Sequence, residues 1–200
     1  MKAWRSSILI LTLLATPSWA DDKAPSDMSA EMQAMMSAWE KAGTPGAQQA
    51  QLADHFAGTW TAKQSMWMDP AGEPMVGTGR AVSTAMFGGR HIRMEFEGEA
   101  MGEPFNGLGL TGYDNTLGRY YSSWIDSMGT GIMLAYGEYD AASTTYTFRT
   151  EMADPMNPGS KIPMRNVIRI IDADHHVFDM HETHDGKEIR TMMIEYSRAK

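Results

Sequence analysis

The chain has 200 residues, 19 of them methionine and none cysteine, and its 17 Lys+Arg against 25 Asp+Glu give a formal net charge of −8. An acidic chain repels phosphate backbones, which sets nucleic acid aside as a partner. With no cysteine there is neither a disulfide framework nor a cysteine for lipid attachment, so an apolar core must hold the fold, and this length can supply one.

Lys2 and Arg5 open the chain, Ile8 to Ala15 is a short apolar run, and Ser18-Trp19-Ala20 is a small-x-small cleavage site before Asp21-Asp22. This pattern reads as a secretory signal peptide over 1–20. A retained anchor is the alternative, but the run is shorter than the roughly 20 residues a helix needs to span a bilayer. No other segment is long and apolar enough to cross. Cleavage near Ala20 removes two basic residues and leaves 15 against 25 acidic ones. The expected location of the mature chain is periplasmic or secreted.

Residues 21–57 read as a helical lead-in. Ser26 or Asp27 is the expected cap of a helix that carries Met28, Met32, Met35, Met36 and Trp39 on one stripe and ends at Gly43. Thr44-Pro45 has the order of a cap followed by a first helical residue, and starts a second helix with Leu52, His55 and Phe56. The pair is expected to cover one opening or side of the β-structure that begins after it.

From Gly58 the apolar period changes to two. Ten strand-like runs occupy 58–200, separated by turn signals such as Asp69-Pro70-Ala71-Gly72, Phe87-Gly88-Gly89, Met101-Gly102, Asp114 to Gly118, Ser127 to Gly131, Asp140 to Ser143 and Asp185-Gly186. Gly77 and Gly79 interrupt the second run. Successive strands without intervening helices predict a mainly β, antiparallel up-and-down barrel of about ten strands, with a two-sheet sandwich as the alternative.

Three stretches share an order with a known family. Gly58-Thr59-Trp60 enters the first strand. Phe87-Gly88-Gly89-Arg90, then Gly112-Tyr113-Asp114-Asn115, then Tyr121-x-x-Trp124-Ile125-Asp126-Ser127-Met128-Gly129-Thr130-Gly131 come next, and Asp185-Gly186-Lys187-Glu188 with Ile194-Glu195-Tyr196-x-Arg198 completes the set. Over about Leu52 to Arg198 the chain resembles the bacterial domain-of-unknown-function family numbered fifteen seventy-nine. That resemblance implies a single lipocalin-like barrel and no established activity, cofactor or catalytic residue.

Parity along 119–126 puts Tyr120, Ser122, Trp124 and Asp126 on one face. With Tyr113 they make an aromatic wall with a polar end, the composition of a small-molecule pocket. The alternative is that Trp124 fills the core while Asp126 caps the next turn. Arg90 and Arg165 are candidate anchors for an anionic head group, although surface arginines are usually solvated. His175, His176, His181 and His184 lie close in sequence, but alternation splits His181 from His184, and no metal-ligand spacing is present. The helical methionines admit a copper-binding reading and an ordinary apolar stripe. Spacing favours the stripe. Met66, Met94, Met133, Met180 and Met193 read as inward strand positions. Catalytic, cofactor and phosphate-loop motifs are absent from the sequence.

The expected function is binding of a small apolar or amphiphilic molecule in the barrel. A hydrolase or isomerase using Asp126, Tyr113 or His181, and a protein-interaction module, are the alternatives.

Overall fold

A computed structural model describes residues 28–200. The signal-peptide segment and the expected cap at Ser26 or Asp27 lie outside the described residues. These divide into two compact units between Ser37 and Ala38.

Helix α1 spans Ala30–Gly43 and buries no side chain. Ser29 caps it, its Oγ accepting the Met32 N–H at 3.2 Å. The apolar stripe therefore does not act as core: Met32, Met35, Met36 and Trp39 are all exposed. Helix α2 spans Ala47–Phe56 and starts from Gly46 rather than Thr44. The Thr44 hydroxyl is committed elsewhere, donating to the Glu40 carbonyl at 2.7 Å. Gln49 takes over the capping, its Oε1 accepting the Gly46 N–H at 2.8 Å.

The rest of the chain is ten strands: β1 Gly58–Met66, β2 Met75–Met86, β3 His91–Ala100, β4 Glu103–Asp114, β5 Arg119–Asp126, β6 Met133–Asp140, β7 Thr145–Ala153, β8 Lys161–Ile170, β9 His175–His184 and β10 Lys187–Arg198. Each pairs antiparallel with the next, and β10 returns to β1 to close the barrel. Closure leaves no strand edge unpaired. Strand β2 runs unbroken through Gly77 and Gly79, because the missing side chain at Gly79 makes room for the Phe96 ring.

Turn chemistry explains the strand ends. Asp69, Asp114, Asp126, Asp140, Asp154 and Asp172 each accept, at Oδ1, the backbone N–H two residues on. This is the local bond that makes aspartate a turn former. Met101-Gly102 and Asp185-Gly186 are two-residue hairpins with positive φ at both positions, the geometry whose twist matches the flanking strands. In a meander alternate turns lie at opposite ends. The end opposite α2 carries Met68, Met101, Met128 and Met156 on four of its five turns, each more than half exposed.

Arg198 ties the seam between β1 and β10 to its surroundings. Arg198 lies 4.1 Å over the Trp60 ring. Its Nη1 donates to the Ala57 carbonyl at 2.7 Å, and Nη2 and Nε donate to the Ala173 carbonyl at 2.9 and 3.1 Å. Gly58 leaves the space for this: its φ is +132° and a Cβ there would stand 2.5 Å from Arg198 Nη1. Trp60, 1% exposed, donates its indole N–H to the Phe56 carbonyl at 2.8 Å. The fork thus joins the α2–β1 link, the β8–β9 turn and the last strand. Arg198→Lys keeps the charge and loses the planar fork. It is expected to cost about 2 kcal/mol, read as a lower midpoint in urea unfolding.

Candidate functional site

The pairing register sorts side chains between the two faces of the sheet. Trp60, Ala81, Phe96, Tyr120, Ala135, Phe148, Asn166, His176, Ile194 and Tyr196 share the inward face and are buried. The core falls into two clusters. One joins Leu52 and Phe56 of α2 to Ile92, Tyr120, Ala135, Tyr146 and Phe148. The other joins Trp60, Ala62, Ala81, Phe96, Ile194 and Tyr196. The buried His176 ring bridges the two, edge-on to both Phe56 and Trp60. Several inward side chains (Met94, Thr111, Ser122, Phe178 and Met180) are only partly buried.

Helix α2 closes one end. Gln49 Nε2 donates to the Tyr113 carbonyl at 3.1 Å and to Asn115 Oδ1 at 2.8 Å. Asn115 Nδ2 in turn donates to the Thr44 carbonyl at 2.8 Å. Under the helix, Tyr113, Tyr120, Tyr139 and Tyr146 pack edge to face or tilted, with centroids 4.5–5.2 Å apart. His55 Nδ1 stands 2.9 Å from the Tyr146 hydroxyl. Burial, opposed by the Asp54 charge, holds the His55 pKa below the ordinary imidazole value. The neutral ring thus shares a hydrogen bond with the Tyr146 hydroxyl, and burial raises the pKa of that phenol. An open cleft of about 1030 Å³ runs beside α2, with Gln51, His55, Tyr113, Tyr120, Tyr139 and Arg119 among its walls.

His176 sits deeper, 3% exposed, stacked on Tyr196 at 4.5 Å and edge-on to Trp60 at 4.5 Å. Burial, then the charges of Arg198 and His55, push its pKa down to about 3. It is a neutral core ring, and its Nδ1 has no partner. Ser83 Oγ and Asn166 Oδ1 are also buried without a partner, and both lie on the inward face.

The residues singled out from the sequence fall into different surroundings. Tyr120, Trp124 and Asp126 share the inward face, as alternation requires, and Tyr113 lies opposite Tyr120. Trp124 lies across Gly107 and donates its indole N–H to Asp126 Oδ2 at 2.9 Å. Asp126 Oδ1 accepts the Met128 N–H at 2.9 Å, so this carboxylate orders a wall and a turn together. Arg90 lies in the β2–β3 turn and donates to the Gly43 and Phe87 carbonyls at 2.8 and 2.7 Å. Arg165 is on the outer face and forms a two-pronged pair with Glu188 at 2.8 and 2.6 Å. Met66, Met94, Met133 and Met180 share the inward face, but Met193 does not. A bulge between Arg190 and Met192 shifts parity, so Met192 faces in and Met193 pairs with Asp179 outside.

The residues considered for acid–base work are not brought together. Tyr113 and Asp126 occupy opposite ends of the β4–β5 pair, about 20 Å apart by strand rise. His181 faces outward beside Arg165. Among the described residues no three His, Cys, Asp or Glu are placed to hold a metal ion. None of their helices is long and apolar enough to cross a membrane. Sequence reasoning named His55 and His176 without placing them in the interior, and it missed Gln49, Tyr146 and Asn166. A Gln three residues after a glycine was the one local signal, for Gln49; the others needed the assembled interior.

The chain belongs to the family described as Protein of unknown function (DUF1579), whose model matches residues 44–198. The resemblance read from the motifs is thereby established. The fold is similar to that of Rv2717c from M. tuberculosis, at TM-score 0.58 and 14% identity over 78% of this chain and 100% of that one. It is also similar to the S-type phycobiliprotein lyase CPES from Guillardia theta, at TM-score 0.52 and 14% identity over 78% and 99% of the two chains. Both likenesses concern the fold alone. Comparison with curated proteins finds no match.

The buried histidine has a pH consequence. Its pKa is about 3 when folded and 6.5 when free, so between these values the unfolded chain binds a proton that the native state refuses. Stability from this group is complete above about pH 6.5 and is lost as pH falls toward 3. His176→Phe keeps the stacking and removes the proton. Wild type is expected to lose about 2–3 kcal/mol more than the variant between roughly pH 7 and pH 4.5, measured by urea unfolding at each pH.

Proposed function

We propose that this member of the family uses its barrel as a binding chamber for a small, largely apolar or amphiphilic molecule. The observation that carries the reading is the incomplete burial of the interior: the inward side chains Met94, Thr111, Ser122, Phe178 and Met180, from four strands, are only partly buried, and the aromatic clusters line the walls around them. Apolar surface left in contact with water costs on the order of 25 cal/mol per Å², and a ligand of matching shape recovers it. Methionine suits such a wall, since its unbranched thioether adapts to ligand shape.

The walls have distinct parts in this reading. Tyr120 and Tyr113 form the closed end beneath α2, and Trp124, fixed by Asp126, forms the side toward the open end. Arg90 and Arg165 hold the scaffold from outside the chamber. The signal-peptide pattern supports work outside the cytoplasm, with Asp21 as the new N-terminus. Intact-mass measurement of the protein from its own host is expected to give the chain lacking residues 1–20. A mass that retains them overturns the export reading and leaves the chamber reading standing.

Binding is tested with an apolar fluorophore, N-phenyl-naphthylamine. Wild type is expected to enhance its fluorescence saturably. Ser122→Phe places a ring inside the lumen opposite Ala135 and is expected to weaken binding about tenfold, or 1.4 kcal/mol. Equal binding by the variant, or no saturable binding by wild type, defeats the reading.

A further inference from the structure

We infer that the cleft beside α2 is a second binding site, for a small aromatic molecule with one acid group, held through that group by Arg119 and Arg149. The inference goes beyond the chamber reading and does not depend on it.

Most arginines of the barrel are committed to protein partners. Arg90 and Arg198 bond backbone carbonyls, Arg93 bonds Glu95, Arg165 bonds Glu188, and Arg169 and Arg190 share Asp179. Arg119 and Arg149 are paired with no carboxylate among the described residues, and both line the cleft. They flank one ring. Arg119 lies over Tyr136, its Cζ 3.7 Å from the ring centroid. Arg149 is directly opposite Tyr136 in the β6–β7 register, a separation of roughly 5 Å between Cα atoms. Stacking engages the face of a guanidinium and leaves the N–H donors at its edge, which match the oxygens of a carboxylate or sulfonate. On the far side of Arg149, Glu188 is already held by Arg165 at 2.8 and 2.6 Å. Two like charges beside one phenol repel each other, and a shared anion relieves that repulsion.

The rest of the cleft suits a flat ring. Its volume of about 1030 Å³ is at the upper end of the small-molecule range. On the helix side the exposed Ala47 and Ala50 leave space, and on the sheet side Tyr113 and Tyr139, each partly buried, offer ring surface. Between them Tyr120 donates its hydroxyl to Gln51 Oε1 at 3.1 Å and ties the two walls together. Contact between rings adds to simple area burial, which favours an aromatic skeleton over an aliphatic one. Asp54 and Glu138 line the same cleft, and burial, over the opposing Asp54 charge, keeps His55 neutral. A ligand with several negative charges would meet these carboxylates, and a cation would meet the two arginines. One acid group on an otherwise uncharged ring system fits.

The experiment titrates the full mature chain at neutral pH with two fluorophores that differ by one acid group: anilinonaphthalene sulfonate and its neutral parent, N-phenyl-naphthylamine. The sulfonate is expected to bind saturably, and naphthoate to displace it at least about tenfold better than naphthalenemethanol does. Arg119→Gln and Arg149→Gln change exposed side chains. Each is expected to weaken sulfonate binding about fivefold or more while N-phenyl-naphthylamine binds as it does to wild type. Ala50→Trp fills the cleft from the exposed face of α2 and is expected to do the same, whereas Ser122→Phe, inside the barrel, is expected to leave the sulfonate unaffected. Unchanged sulfonate affinity in both arginine variants, equal displacement by the alcohol and the acid, or loss of sulfonate binding in folded Ser122→Phe overturns the inference and leaves the chamber reading standing. Wild type that binds the sulfonate at the arginines but not N-phenyl-naphthylamine defeats the chamber reading alone.

Discussion

Closure of the barrel at Arg198 and Trp60 is the constraint on which the rest depends. Nine of the ten strand pairings join sequence neighbours through short turns, and local chemistry is enough to make them. The tenth, β1 with β10, joins the first strand to the last and has no turn to hold it. The Arg198 fork supplies the missing constraint by bonding carbonyls on both sides of the seam and covering the Trp60 ring. Were the seam to open, two strand edges would face water and the indole would lose its cover. The same residue fixes where α2 ends, because Ala57 is its acceptor, and so sets how the helix lies across the barrel mouth.

Much of this was legible in the sequence, and the parts that were arise from local rules. The period-two alternation from Thr59 to Ser197 is what a sheet with one wet face requires, and it located all ten strands. The turn aspartates and Asp185-Gly186 act within four residues, so they too could be read directly. Errors arose wherever a distant group decided the outcome. Thr44 looked like a helix cap, but its hydroxyl bonds back to Glu40, and Gln49 caps the helix instead. Met193 has inward spacing by simple alternation, yet the bulge after Arg190 turns it out. Arg90 and Arg165 were reasonable anchors by type, and only the assembled register reveals that carbonyls and Glu188 already hold them.

The site was less legible than the fold for a related reason. Tyr120, Trp124 and Asp126 stood out because their chemistry is dense, but dense chemistry in this chain serves mainly to fix register and order walls. Asn166 and His176 carry more information about the interior; His176 stood out only as one of a run of histidines, and Asn166 not at all. Their meaning lies in what is absent around them, a partner for Oδ1 and for Nδ1, which is a property of three-dimensional surroundings. The acidic exterior and the scarcity of charge inside the barrel are likewise products of parity, since alternation sends nearly every ionisable strand residue outward.

The methionines on the turns at the end opposite α2 impose an order on chemical damage. Oxidants in solution reach Met68, Met101, Met128 and Met156 freely, whereas Met164, 4% exposed, is shielded inside the wall. A sulfoxide on a turn adds a polar group to a surface already in water and disturbs no packing, and sulfoxide reductases can reverse it. The same change at Met164 would force a polar oxygen among apolar neighbours. The rim thioethers are therefore consumed first, and the turns opposite α2 grow more polar while the interior stays chemically intact.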